Sequence, residues 1–149
     1  MKPHHAFLLL AIVSIVLPSG PASAQDGYRL KLTLTGPDAR HDPDDVWSDN
    51  DLAFIRQSGK TPAIYTARLT TPKGEWLLSQ TNGDCNMQGM CTALLVLRKQ
   101  GAEPVTMANP QLPLGGTATL SLNYRKLTTE EIDQNGKPFD GSYDVAPIP

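Results

Sequence analysis

Apolar and polar side chains alternate along several segments of this chain, and this pattern constrains the fold more than any other feature of the sequence. In the segment 28–35 every second residue is apolar, from Tyr28 to Leu34, and the residues between them are Arg, Lys or Thr. A period of two is that of a β-strand with one face in the core and the other in water. Strands of this kind belong to antiparallel sheets.

The same reasoning predicts further strands, separated by turn-forming pairs such as Asn82-Gly83 and Gly115-Gly116. The segment 92–99 is the most apolar of them, so we expect it to be central in its sheet. The predicted strands after the first are 63–70, 75–81, 92–99 and 117–124, with shorter ones at 105–107 and 139–145. We therefore expect an all-β fold, a small antiparallel β-sandwich or barrel of about six to eight strands.

Two short helical turns are also predicted, each from a hydroxyl residue with a carboxylate three positions later. Ser48 and Asp51 precede the segment 52–57, and Thr128 and Glu131 precede Ile132. In this arrangement the two side chains can cap the free backbone N–H groups at the start of a helix.

The first 24 residues have the pattern of a cleavable secretory signal. Lys2 is followed by the uncharged apolar segment 6–17 and then by Ala22-Ser23-Ala24, a small-residue cleavage site. The apolar segment is shorter than the roughly 20 residues that a membrane-spanning helix needs. We expect one β-rich domain over residues 25–149, periplasmic or secreted, with no membrane insertion after cleavage.

The net charge of the chain indicates which classes of partner to expect. The whole chain has 13 basic and 15 acidic residues, and removal of the segment containing Lys2 would leave a formal charge of −3. A mildly acidic domain is not attracted to nucleic acid. Nucleic acid is therefore not an expected partner, and another protein or an envelope component is.

Cys85 and Cys91 are the two cysteines of the chain, and six positions separate them. In an exported protein such a pair is expected to form a local disulfide. A redox-active pair would more often have the C-x-x-C spacing. A Cu(I) site is a further alternative, because Met87, Met90 and Met107 could add soft sulfur ligands to the two thiolates.

The segment 37–51 is rich in aspartate around His41 and Trp47. Carboxylates in a loop suit Ca²⁺, although Val46 and Trp47 occupy positions where an EF-hand loop has a ligand and a glycine. A solvated acidic loop and an acidic docking surface are the alternatives. The candidate ligands for Ca²⁺, which is the one cofactor considered besides copper, are Asp42, Asp44, Asp45, Asp49 and Asp51.

Catalytic motifs are missing from the sequence. His41 is the one histidine after the predicted signal, and there is no G-x-S-x-G or H-E-x-x-H segment. We therefore expect a non-enzymatic binding module of the cell envelope. Its candidate partner-binding residues are those of the loop between the cysteines, Met87, Gln88 and Met90, because a disulfide would fix the shape of this loop.

A partial resemblance to a known family gives an alternative function. Ser58-Gly59, the later Tyr65 and Lys73-Gly74 resemble the Ser-Gly-x-x-Tyr and Lys-Gly elements of bacterial inhibitors of C-type lysozyme. The spacing to Tyr65 is longer than in that family, and the match covers less than a fifth of the chain. The resemblance implies an eight-stranded barrel that inhibits a hydrolase, with no functional residue carried over.

Overall fold

The computed structural model describes residues 26–149 and confirms the all-β prediction. Two antiparallel sheets account for most of these residues, and one short helix accompanies them. The predicted signal segment lies outside the described residues. Within residues 26–149 no helix is both long and apolar enough to span a membrane.

Residues 26–149 form ten strands, more than the six to eight predicted, for three identifiable reasons. The predicted strand 28–35 is divided in two at Leu32, a short strand forms between Pro110 and Leu114, and a predicted helical turn is a strand. In chain order the elements are β1 (Gly27–Lys31), β2 (Thr33–Pro37), α1 (Asp49–Gln57), β3 (Ala63–Thr71), β4 (Gly74–Cys85), β5 (Met90–Arg98), β6 (Val105–Ala108), β7 (Gln111–Pro113), β8 (Thr117–Ser121), β9 (Lys126–Ile132) and β10 (Pro138–Asp144).

The first two described strands are edge strands, β1 of one sheet and β2 of the other. The four-stranded sheet has the order β1-β8-β9-β10, and the six-stranded sheet has the order β2-β3-β4-β5-β6, with β7 also paired to β5. Leu32, between β1 and β2, donates its backbone N–H to the carbonyl oxygen of Gly116 at 3.0 Å. The chain therefore passes from one sheet to the other without a loop.

The main core lies between the two sheets. Leu30, Leu120 and Leu127 come from the four-stranded sheet, and they pack with residues of β4 and β5 such as Trp76 and Leu95. All five side chains are at most 2 % exposed. Burial of apolar surface on this scale is the main stabilising contribution to such a fold.

A second, smaller core lies between α1 and the six-stranded sheet. Leu52 and Ile55 of the helix pack with Ile64 of β3, and Trp47 packs against them. The predicted capping box is confirmed: Ser48 accepts the N–H of Asp51, whose carboxylate accepts the N–H of Ser48 at 2.9 Å. The helix and Trp47, whose indole N–H donates to Ser79 at 2.8 Å, thus cover part of the outer face of the sheet, so β4 is buried on both faces.

The second predicted helical turn is wrong, because Thr128 and Glu131 lie in strand β9. The side chains of Leu127, Thr129 and Glu131 are buried, whereas Glu130 is exposed, which is the period of a strand. Pairing with β8 on one side and β10 on the other satisfies the backbone of this segment.

Candidate functional site

The disulfide between Cys85 and Cys91 is present, as predicted, with an S–S distance of 2.01 Å. It joins the end of β4 to the start of β5, where the two cysteines are direct cross-strand partners. Both cysteines of the chain are used, so neither is a thiolate that could bind copper. Met90 and Met107 are buried at 4 % and 3 % exposure, in contrast to the exposed Met87.

The side chain of Asn86 shapes the loop within the disulfide. Its Oδ1 atom accepts the backbone N–H groups of Gln88 and Met90, both at 3.0 Å. Gly89 has φ of 77°, a left-handed conformation that costs glycine little. The loop is therefore held by its own hydrogen bonds as well as by the disulfide.

The structure separates the three predicted partner-binding residues of this loop. Met87 is at the tip with 99 % of its side chain exposed, and Gln88 is also exposed. Met90 is instead buried, because it lies in β5 opposite Pro113 of β7. Met90 therefore supports the loop from within the fold and is not part of its exposed surface.

Gln80 connects the disulfide region to the neighbouring turn, and the sequence did not identify it. Its amide Nε2 donates to the carbonyl oxygens of Cys91 at 3.1 Å and Leu112 at 2.9 Å, and its Oε1 accepts the N–H of Gly115 at 3.0 Å. Gln80 is fully buried. The sequence did contain one signal: Gln80 is a polar residue at an inward-facing position of a predicted strand. A buried amide at such a position is expected to have hydrogen-bond partners.

An exposed apolar surface extends from the loop across this end of the molecule. Leu114 donates its N–H to the carbonyl oxygen of Gly89 at 3.4 Å and is 40 % exposed. The next residue, Gly115, lies against the ring of Tyr65. Tyr65 is in turn the cross-strand partner of Leu34, which is 50 % exposed. We call these residues the disulfide-end surface: Leu34, Tyr65, Met87, Gln88 and Leu114.

The acidic segment is organised by its own carboxylates, beginning with Asp42. This side chain is fully buried and accepts the backbone N–H groups of Asp44, Val46 and Trp47, each at 3.0 Å. A carboxylate with three such partners holds a turn in shape. The role of Asp42 is therefore structural.

Asp44 attaches the segment to the outer face of the six-stranded sheet. Its carboxylate accepts from the Arg68 guanidinium at 2.5 Å, and its carbonyl oxygen accepts from Arg98 at 2.6 Å. Both arginines also contact Glu75, at 2.8 and 3.5 Å. The Asp44 interaction raises the pKa of Arg68. The two arginines thus neutralise the carboxylates of Asp44 and Glu75. The negative charge available for an acidic docking surface is therefore smaller than the sequence predicted.

The remaining aspartates also have separate partners. Asp51 caps α1, and the His41 ring donates to Asp49 at 2.9 Å, with Asp45 at 3.8 Å. The hydrogen bond to Asp49 raises the pKa of His41. Within residues 26–149 no three His, Cys, Asp or Glu side chains are grouped so as to hold a metal ion. The structure therefore does not bring the candidate Ca²⁺ ligands together.

A buried carboxylate lies on the inward face of the four-stranded sheet. Glu131 accepts hydroxyl hydrogens from Thr129 at 2.5 Å and from Tyr143 at 2.8 Å, and its carboxylate folds over Gly141. Burial is the main cause that raises the pKa of Tyr143. The group joins β9 to β10 and, through the Tyr143 hydroxyl, to Gln111 of β7.

The residues that resemble the lysozyme inhibitors lie in separate places. Ser58 ends α1, Tyr65 is in β3, and Lys73 with Gly74 forms the turn between β3 and β4. Comparison with known proteins adds no relative: no family model matches the chain, and no curated protein and no solved structure resembles it. The geometry of the disulfide-end surface is therefore the basis for a functional proposal.

Proposed function

We propose that this protein is an exported, non-enzymatic binding module of the cell envelope, and that the disulfide-end surface contacts a protein partner. One observation carries the proposal. Met87, the most exposed large apolar side chain of the described residues, is at the tip of the one cross-linked loop there. Single exposed apolar residues are ordinary, but Leu114 and Leu34 are also exposed at this end of the domain, and exposed apolar groups of this kind are typical of interaction sites.

The loop is ordered before a partner arrives. The disulfide and the Asn86 hydrogen bonds fix the backbone around Met87, and the buried Gln80 amide holds the carbonyl of Cys91 at the end of the loop. Binding by a loop whose backbone is already ordered avoids part of the entropy cost of association. Met87 itself keeps a flexible, polarisable side chain that can adapt to a partner.

Two features support binding in preference to catalysis. Both sulfur atoms are joined in the disulfide, and over residues 26–149 the His41 ring hydrogen-bonds the Asp49 carboxylate and no hydroxyl group. The disulfide also supports the periplasmic or secreted location, because such bonds persist in oxidising compartments.

Photo-crosslinking tests the proposal. A benzophenone amino acid placed at position 87 is expected to capture a discrete protein from an envelope extract, identified by mass spectrometry. The matched control is position 54, because Phe54 is also apolar and 72 % exposed but lies on α1. Capture of a lysozyme would identify the partner class as a hydrolase. Failure of position 87 to give an adduct, or the same adducts from position 54, would contradict the proposal.

Affinity for the captured protein then gives a quantitative test. Met87→Asp is expected to weaken binding at least tenfold, because a charge would be desolvated at the centre of an apolar contact. Phe54→Asp is expected to leave the affinity unchanged within a factor of two. Equal losses from both variants would show that the disulfide-end surface is not the contact.

A further inference from the structure

A cavity of about 640 Å³ lies at the opposite end of the molecule from the disulfide. Lys73, which lines it, immediately precedes β4, whereas Cys85 is the last residue of that 12-residue strand. The other walls are the turn between β8 and β9 and the segment 144–148. The volume is in the range of ligand-binding clefts in proteins, about 300–1,000 Å³.

Tyr124 forms the rigid wall of this cavity. Its ring stacks on Trp76 at a centroid distance of 5.5 Å and on Tyr28 at 5.8 Å, with interplanar angles of 10° and 4°. Tyr124 has φ of 58°, a left-handed conformation that is unfavourable for an aromatic residue. The stacking holds the residue in this conformation, and such strained positions are concentrated at binding sites.

The opposite wall is apolar and is fixed to the core by the end of the chain. The N–H of Val145 donates to the carbonyl oxygen of Arg125 at 3.0 Å, and the N–H of Ala146 donates to that of Met107 at 2.8 Å. Val145 is buried, and Ile148 packs against the main core. The cavity therefore has an aromatic wall and an aliphatic wall, both held in place.

The rim of the cavity is cationic, although the whole chain has a formal charge of −2. Lys73, Arg125 and Lys126 line it, together with the single carboxylate of Asp144. Asp144 pairs with Lys126 at 2.5 Å. Over residues 26–149 neither Lys73 nor Arg125 forms an ion pair, and both are exposed at the rim. Two cations are thus available to an anionic ligand.

We propose that this cavity binds a small organic carboxylate with an apolar body. The apolar body would pack between the edge of Tyr124 and the side chains of Val145 and Ile148. The carboxylate would contact Arg125 and Lys73, because a guanidinium can donate two parallel hydrogen bonds to a carboxylate. This site is separate from the disulfide-end surface, so the inference does not depend on the proposed function.

Titration with 4-phenylbutyrate, followed by NMR of the backbone amides of the intact exported protein, tests this inference. Saturable shifts are expected at Arg125, Ala146 and Ile148 and not in the loop 86–89. The uncharged analogue 4-phenylbutanol has the same apolar body and is expected to bind at least tenfold more weakly. Equal binding of the alcohol, or no saturable shift with the carboxylate, would overturn the inference.

Variants that remove positive charges test whether the cationic rim of the cavity contributes to ligand binding. The double variant Lys73→Gln with Arg125→Gln is expected to weaken 4-phenylbutyrate binding at least tenfold while the amide spectrum stays that of the folded protein. Lys137→Gln is the matched control, because Lys137 is an exposed residue in the turn between β9 and β10. An equal loss with Lys137→Gln would show non-specific attraction and would overturn the assigned site.

Discussion

The aspartates of the segment 37–51 have individual structural roles that the sequence around them does not reveal. Asp42 caps backbone N–H groups in a buried turn, Asp44 pairs with arginines of the sheet, and Asp51 caps a helix. The sequence shows six carboxylates close together but not the arginines that approach from β3 and β5. A clustered set of acids is therefore a poor predictor of a metal site when the partners are distant in the chain.

Met87 and Met90 also have different structural roles, although they lie close together in one loop. Both were predicted to contact a partner, yet one is almost fully exposed and the other is buried. The difference arises from β7, because Met90 pairs with Pro113 and is covered there. Strand β7 has three residues, follows Pro110 and ends with Pro113, so it is too short to show a periodic pattern in the sequence.

The His41–Asp49 pair predicts a pH dependence. Hydrogen bonding to Asp49 raises the pKa of His41 above its ordinary value of 6.5. The protonated form is therefore favoured in the folded state, so the pair stabilises the fold at a pH below 6.5 and this contribution is lost as the pH rises through the raised pKa. An NMR titration of the His41 ring is expected to give a midpoint above 6.5.

Asp49→Asn is the control for this titration. Removing the carboxylate is expected to return the His41 midpoint toward 6.5. A midpoint at or below 6.5 in the unsubstituted protein would show that the pair does not persist in solution.

At the scale of elements, two similar sequence patterns gave different structures. Ser48 with Asp51 begins a helix, whereas Thr128 with Glu131 lies in a strand. The local capping signal is alike in the two segments. In the second, alternating burial of Leu127, Thr129 and Glu131 between two partner strands overrides it. The sequence does not show this alternation, because the buried Thr129 and Glu131 are polar, so only the tertiary structure identifies the strand.

The contact between α1 and β4 predicts the effect of a substitution at Gly83. A Cβ atom at this position would approach side-chain atoms of Ile55 to 2.5 and 2.7 Å. Gly83→Ala is therefore expected to lower the free energy of unfolding by about 1–3 kcal/mol, as overpacking does. Urea denaturation measures it.

The double variant with Ile55→Ala tests the cause. Removing the Ile55 side chain makes room for the new methyl group, so Gly83→Ala is expected to cost less than about 0.5 kcal/mol in that background. A cost that is unchanged by Ile55→Ala would mean that the helix does not press on Gly83.

At the scale of the molecule, the sequence predicted the fold class but not the arrangement of the strands. Alternating and apolar segments located most of the strands, but β7 was not predicted and β9 was predicted as a helical turn. The turn pairs located several of the strand ends. Nothing local indicated that the segment 27–37 is shared between two sheets, or that Gln80 ties β5 to the turn after β7. The disulfide-end surface combines residues of β2, β3 and two loops, so it required the tertiary structure.

The disulfide predicts a measurable share of the global stability. Replacing Cys85 and Cys91 together by serine is expected to lower the free energy of unfolding by about 2 kcal/mol, because the cross-link restricts the unfolded chain. Urea denaturation measures this difference. A reducing agent is expected to lower the stability of the unsubstituted protein to the same level and to leave the variant unchanged. A reductant effect on the variant would assign the loss to another cause.

The sharing of the first strand between the sheets has a consequence for the order of folding. β1 begins at Gly27, and its partner β8 ends at Ser121. The first of the described strands to be synthesised can therefore pair only after β8, one of the last, has been synthesised. Contacts between such distant segments form slowly. For a chain that emerges from a narrow channel, as the proposed export requires, β1 stays unpaired until β8 has also emerged.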